Sequence, residues 1–209
     1  MVTGCCDCCG LELTKIDPSD YPGRNVYFTF HFYSPHAFTH QGITDRSRPF
    51  APMQLLRNVP FPLTPDSLAD VERRGRAALK ALAIPDPRSQ RQAERDLDST
   101  LARLRQFSTP NEIDVVFDKN LAWAKAHGIP PQRVVLGEFG VMRPKVDPDS
   151  RRRWIEAVRL AAERRQMPWV YWSLDGPEYM GLRLDRKKRS FDPLILDALG
   201  LSRSGGPRP

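Results

Sequence analysis

Four residues of this 209-residue chain fall where parallel α/β proteins carry their functional groups, at the C-terminal ends of apolar strand-like runs. His31 and Tyr33 follow Val26-Tyr27-Phe28-Thr29-Phe30, Glu138 follows Val134-Val135-Leu136, and Trp172 closes Trp169-Val170-Tyr171-Trp172. Glu138 is the most informative. A carboxylate directly after a buried strand is unfavourable unless something pairs with it. Gly137 and Gly140 on either side leave room for backbone or ligand to approach. Taken singly, each residue has a structural explanation. A Glu that closes a strand is as often structural as catalytic, a lone histidine is ordinarily a satisfied core residue, and Tyr33 and Trp172 read as core aromatics. Their appearance at equivalent positions in successive strand–helix units is what makes them a candidate site.

The elements that must position these groups are legible from spacing. The three runs are continuous rather than alternating and rich in β-branched and aromatic residues, as in parallel strands covered on both faces. Between them lie helical patterns. Residues 65–83 place Leu68, Val71, Ala78, Leu79 and Leu82 at helical spacing, with Thr64 as N-cap and Pro65 in the first turn. Residues 89–107 do the same with Leu97, Leu101, Leu104 and Phe107. Thr109-Pro110-Asn111-Glu112 predicts a capping box for a helix running to His127, which Gly128 ends. Further helices open at Asp147-Pro148, closing before Pro168, and at Asp192-Pro193, reaching Leu199. Strands alternating with helices predict right-handed βαβ units, hence an α/β fold on a parallel sheet of three strands.

Composition narrows the classes. No apolar run approaches the roughly 18 residues of a membrane-spanning helix, so no membrane span is expected. Lys and Arg exceed Asp and Glu by 32 to 25, a net charge of +7. Most of the excess lies in Arg151-Arg152-Arg153, Arg164-Arg165 and Arg186-Lys187-Lys188-Arg189. Glu156 and Glu163 interleave with the first two clusters, which reads as a solvated helix face rather than a nucleic-acid surface. Cys5, Cys6, Cys8 and Cys9 form two vicinal pairs with no nearby His, unlike the separated pairs of a structural zinc site. No metal or other cofactor is expected. The bland reading of this segment is a flexible terminus that belongs to no core. It also lacks the basic start and apolar stretch of a secretory signal, so the chain does not reveal its localisation.

The constellation resembles the C-terminal part of the cellulase-like (β/α)8 glycoside hydrolases of family 5. Residues 27–35, followed by Phe38-Thr39-His40-Gln41-Gly42, look like the sixth barrel strand and its loop, and Arg57-Asn58-Val59-Pro60-Phe61-Pro62 like the segment beyond. Gly137-Glu138-Phe139-Gly140 looks like the seventh strand and Trp169-Val170-Tyr171-Trp172 like the eighth. The resemblance spans Asn25 to Leu201 and implies a partial TIM barrel, roughly its last three βα units. It further implies Glu138 as the nucleophile of a retaining O-glycosyl hydrolase of the β-1,4-glucanase type. Tyr33 would hold that carboxylate, His31 would line the sugar site, and Trp172 would stack on the sugar ring. A β-glucan or related polysaccharide is the implied partner, and complete family members are often exported. Oligomeric state is left open.

Two departures qualify the resemblance. The family's acid/base glutamate lies in an Asn-Glu-Pro sequence, which is absent; the single Asn-Glu pair, Asn111-Glu112, precedes Ile113 and is explained by the capping box. Gly42-Ile43-Thr44-Asp45 also lacks a tryptophan common in relatives. A complete barrel takes about 250 residues. The expectation is therefore a truncated catalytic region over 25–201, an unassigned cysteine-containing segment over 1–24 and a flexible tail over 202–209. The alternatives are a non-catalytic fragment that keeps a sugar-binding surface and, more remotely, a metal- or nucleic-acid-binding protein.

Overall fold

The computed structural model describes residues 1–3, 10–43, 52–107, 109–176, 179–185, 187 and 190–202. The four cysteines, Thr44, Asp45, Arg186, Lys188, Arg189 and residues 203–209 of the expected tail lie outside the described residues.

Val2–Thr3 (β1), Phe28–Phe32 (β2) and Val134–Phe139 (β3) form a parallel sheet in that order. Two single turns, His36–Thr39 (α1) and Pro52–Leu55 (α2), follow β2. The crossover to β3 is built from Pro65–Ala81 (α3), Pro87–Phe107 (α4) and Pro110–Ala126 (α5). Pro148–Arg164 (α6) and Pro193–Ala198 (α7) come after β3. Parallel strands joined through helices are the α/β architecture that the alternation predicts.

Helix starts follow side-chain chemistry. Thr64 and Ser67 exchange reciprocal bonds in a capping box at α3. Asp147 accepts the Ser150 amide at 2.8 Å. The capping box expected at Thr109 and Glu112 is not formed: the Glu112 amide donates instead to the Thr109 carbonyl at 3.2 Å, leaving the Thr109 hydroxyl without a capping role.

One face of the sheet carries Phe28, Phe30 and Phe32, all buried. Phe30 and Phe32 meet Phe117 of α5 edge-on at 5.3 and 5.4 Å, Phe28 meets Trp123 at 5.3 Å, and Phe32 stacks on Trp154 of α6 at 5.9 Å. Aromatic pairs of this kind add about 0.5–1.5 kcal/mol each beyond the area they bury. This layer fixes the height and tilt of β2 and hence of the residues at its end.

Three further expectations are revised. Trp169–Trp172 runs parallel beside β3 but forms no continuous strand; its one ladder bridge pairs Trp169 with Leu136. The Val170 amide donates to the Leu136 carbonyl and the Trp172 amide to that of Phe139, each at 2.9 Å. Two residues on one side therefore span three on the other, and the extra residue in β3 interrupts the ladder. The described part of the segment before Asn25 does not lie outside the core. Leu13 is buried in it, Asn120 donates to the Gly10 carbonyl, and Trp123 donates to that of Ile16. Nor are the arginine clusters wholly solvated: Arg152 pairs with Glu156 along an open helix face, but Arg151 is buried against Asp192.

Candidate active site

The register between β2 and β3 decides which way Glu138 points. Phe30 pairs with Leu136, but the next pair is His31 with Glu138, so Gly137 is the additional residue of a β-bulge. Side chains alternate between faces along a strand, and an inserted residue reverses that alternation. Without the bulge Glu138 would stand opposite Phe32, on the face packed against α5 and α6. With it, Glu138 shares the other face with His31. Glycine is required at the bulge, because a Cβ at 137 would sit 2.1 Å from Thr29 Oγ1 and 3.3 Å from the His31 ring.

His31, Tyr33 and Glu138 meet directly. The Tyr33 hydroxyl donates to Glu138 Oε2 at 2.9 Å, and His31 Nδ1 lies 3.5 Å from the same oxygen. Tyr33 is buried, whereas the Glu138 side chain keeps 27% of its exposure. The carboxylate is thus aimed from a packed wall yet reachable from solvent. Both contacts fall on Oε2 and neither on Oε1. Tyr33 is held in turn from behind: the Thr39 hydroxyl donates to its carbonyl at 2.6 Å.

Trp172 joins this group through the backbone rather than by side-chain contact. Its amide bonds to Phe139, the residue after Glu138, and its peptide bond to Ser173 is cis. Gly140 lies under it, where a Cβ would come 2.4 Å from the Trp172 carbonyl. The indole, about half exposed, lines a cleft of about 620 Å³ with His40, Ile43, Met142, Asp175 and Tyr179. His40 and Tyr179 escape a reading based on strand ends, since both sit within loops. Their signal is compositional: an additional His and Tyr in the two loops that follow strand-end candidates.

His40 has a distinctive electrostatic setting. Thr39 Oγ1 spends its proton on the Tyr33 carbonyl, so the 2.9 Å contact with His40 Nδ1 requires that nitrogen to carry hydrogen. The ring stacks on His36 at 4.4 Å. Burial, followed by the neighbouring His36, lowers the His40 pKa to about 3 from 6.5. The unfolded chain therefore binds a proton at His40 between pH 6.5 and 3 that the folded chain refuses. The stabilisation is complete above 6.5 and is lost as pH falls toward 3. Chemical denaturation across this range should show a shallower acid limb for His40→Asn, which keeps a donor to Thr39 but does not titrate; identical limbs would refute the assignment.

Among the described residues, no cluster of three or more His, Cys, Asp or Glu is arranged to hold a metal ion, and no helix is long and apolar enough to cross a membrane.

A family model for Cellulase (glycosyl hydrolase family 5) matches residues 9–177, most of the chain. The chain belongs to glycosyl hydrolase family 5. The match begins well before Asn25, in keeping with the packing of Gly10 and Leu13 into the core. Endoglucanase 3 of Fibrobacter succinogenes is 22% identical over 152 residues, which are 73% of this chain and 20% of that protein. A solved endoglucanase superposes with a TM-score of 0.57 at 22% identity, over 92% of this chain and 45% of its own. Endoglucanase Cel5A of the hyperthermophilic Thermotoga maritima gives 0.52 at 22% identity, over 90% and 43%. These likenesses show the family 5 α/β fold. The chain spans less than half of those structures and a fifth of Endoglucanase 3.

Proposed function

We propose that the chain carries the nucleophile side of a retaining β-1,4-glucanase site, on what corresponds to the last three βα units of a family 5 barrel. The observation that carries this reading is the meeting of Tyr33, His31 and Glu138 on one face of β2 and β3. In this reading Glu138 attacks the anomeric carbon of a β-linked glucan, the bond to the leaving oxygen breaks, and a glycosyl ester forms on the carboxylate. Tyr33 keeps that carboxylate ionised and aligned, His31 borders the sugar, and Trp172 offers its flat face to the ring's C–H groups. A second carboxyl group about 5–5.5 Å from the nucleophile must protonate the leaving group in such a mechanism. This sequence has no Asn-Glu-Pro motif to supply it.

A reagent that needs no acid tests the nucleophile by itself. A 2-deoxy-2-fluorocellobiosyl fluoride loses fluoride without protonation, and the 2-fluorine slows hydrolysis of the ester. The expected result is one adduct per chain, mapped by mass spectrometry to Glu138. A folded chain that takes no label, or takes it elsewhere, overturns the reading. Tyr33→Phe should slow labelling about ten- to hundredfold, the range for losing one hydrogen bond to a charged group; an unchanged rate would remove Tyr33 from the mechanism.

The absent motif favours a second reading, a sugar-binding fragment without turnover. Release of reducing sugar from soluble β-glucan by the isolated chain separates the two: turnover eliminates the fragment reading, and labelling without turnover supports it.

A further inference from the structure

Asp192 caps α7, yet its carboxylate ties together the segments that shape the cleft lined by Trp172 and His40. Oδ2 accepts from Nη1 of Arg143 at 2.7 Å and from Nη1 of Arg151 at 2.8 Å, while Oδ1 accepts the Leu194 amide at 3.1 Å. Arg151 directs its remaining donors to the Val141 carbonyl at 3.0 Å and to the Tyr171 hydroxyl and Met180 carbonyl at 3.2 Å each. Arg143 donates Nη2 to the Gly181 carbonyl at 2.7 Å and its backbone amide to that of Tyr179 at 2.8 Å. The Tyr171 hydroxyl donates to Met180 at 2.7 Å. Three consecutive carbonyls, those of residues 179, 180 and 181, are therefore held by one cluster.

Those carbonyls belong to a wall of the cleft. Tyr179 and Met180 line it from the loop after Trp172, and Met142 lines it from the loop after β3, between Val141, whose carbonyl Arg151 holds, and Arg143 itself. The spacing between these two loops is set by two guanidinium groups that share one carboxylate. Asp192 is buried, as is Arg151, so removing its charge leaves two cations facing each other with little solvent to screen them. Arg143, a quarter exposed, has a route outward, and its departure frees the Gly181 carbonyl, next to the Met180 and Tyr179 of the cleft wall.

We infer that Asp192, acting through Arg143 and Arg151, is a positioning residue for the oligosaccharide cleft. It sets the distance between the Met142 and Tyr179 walls and with it the affinity for a β-glucan chain. This rests on the reading of the cleft as a sugar site.

The test compares the full chain with Asp192→Asn and Arg143→Gln, using cellotetraose as ligand. Both variants should bind cellotetraose at least about tenfold more weakly, as expected when binding walls shift by a fraction of an ångström. The fraction of chain labelled at Glu138 by saturating fluorosugar should not change. A purely structural role would do the reverse, lowering the labelled fraction while the folded remainder keeps its affinity. Collisional quenching by acrylamide, which is uncharged, should rise in Asp192→Asn, and the rise should vanish when Trp172→Phe is added. Unchanged affinity together with unchanged quenching overturns the inference. If the parent chain neither binds cellotetraose nor takes label, it is the sugar-site reading that has failed. Quenching of Trp172 then decides the positioning role by itself, and an unchanged signal refutes it. Should Asp192→Asn not fold, Arg143→Gln carries the same comparison, because it leaves the buried Arg151–Asp192 pair intact.

Discussion

Glu138→Gln is expected to take no label from the fluorosugar and, in any assembly that turns over, to lose about 10⁴-fold or more in rate, the range seen when a nucleophile is removed. The amide keeps the shape of the carboxylate and can still accept from Tyr33, but it has no negative charge with which to form the ester. The fold should be almost indifferent. Glu138 is partly exposed and belongs to no core cluster, so stability should change by less than about 1 kcal/mol. Loss of labelling with an unchanged melting curve is the combination that marks a functional carboxylate. A chain that unfolds on this substitution would instead mark Glu138 as structural.

Gly137→Val should harm both fold and site. The bulge puts residue 137 against Thr29 on the neighbouring strand, and a branched side chain cannot enter a gap that already excludes a Cβ. Overpacking of this kind typically costs about 1–3 kcal/mol. The strands would separate or the bulge would migrate, and either would return Glu138 toward the face of Phe32. Labelling should fall with stability, unlike the Glu138 case. The milder pair Gly137→Ala with Thr29→Ala offers a check by coupling, since removing the Thr29 hydroxyl relieves the contact. The double variant should be more stable than Gly137→Ala alone. Strict additivity would show that the clash lies elsewhere.

Much of this architecture was legible because strand ends and helix caps are local signals. The runs before His31 and Glu138 announce themselves by continuous apolar residues, and Asp147 and Asp192 cap helices as their types require. The bulge was only half legible. A glycine before a strand-end carboxylate signals close approach, but the register that makes it a bulge depends on a partner strand more than a hundred residues away. Val2–Thr3 is too short for any periodicity. Arg151 looks like its neighbours Arg152 and Arg153 until α6 is packed, because its counter-charge is 41 residues distant. The Thr109 signature misled for a local reason: with Pro110 following, the tight turn satisfies the Glu112 amide from the Thr109 carbonyl. His40 and Tyr179 gave no signal by position, since loops are placed by the elements they join.

The contact between Tyr33 and Glu138 spans 105 residues, and α3, α4 and α5 occupy the interval. A pairing of such separation cannot form until the crossover has collapsed, and contacts of this kind slow folding. The candidate site should accordingly be among the last features to assemble, with its parts idle until the helical layer is in place. Yet the entropy of closing a loop grows only logarithmically, by about 0.6 kcal/mol for each doubling of length. The turn at 82–86, between α3 and α4, is exposed on either side of the half-buried Ile84, and its exposed end at 85–86 is therefore a position where chain can be inserted at little thermodynamic penalty. Tolerance to length there and intolerance of a single methyl at Gly137 are two sides of one topology: the crossover constrains when the site forms, and the bulge constrains what it becomes.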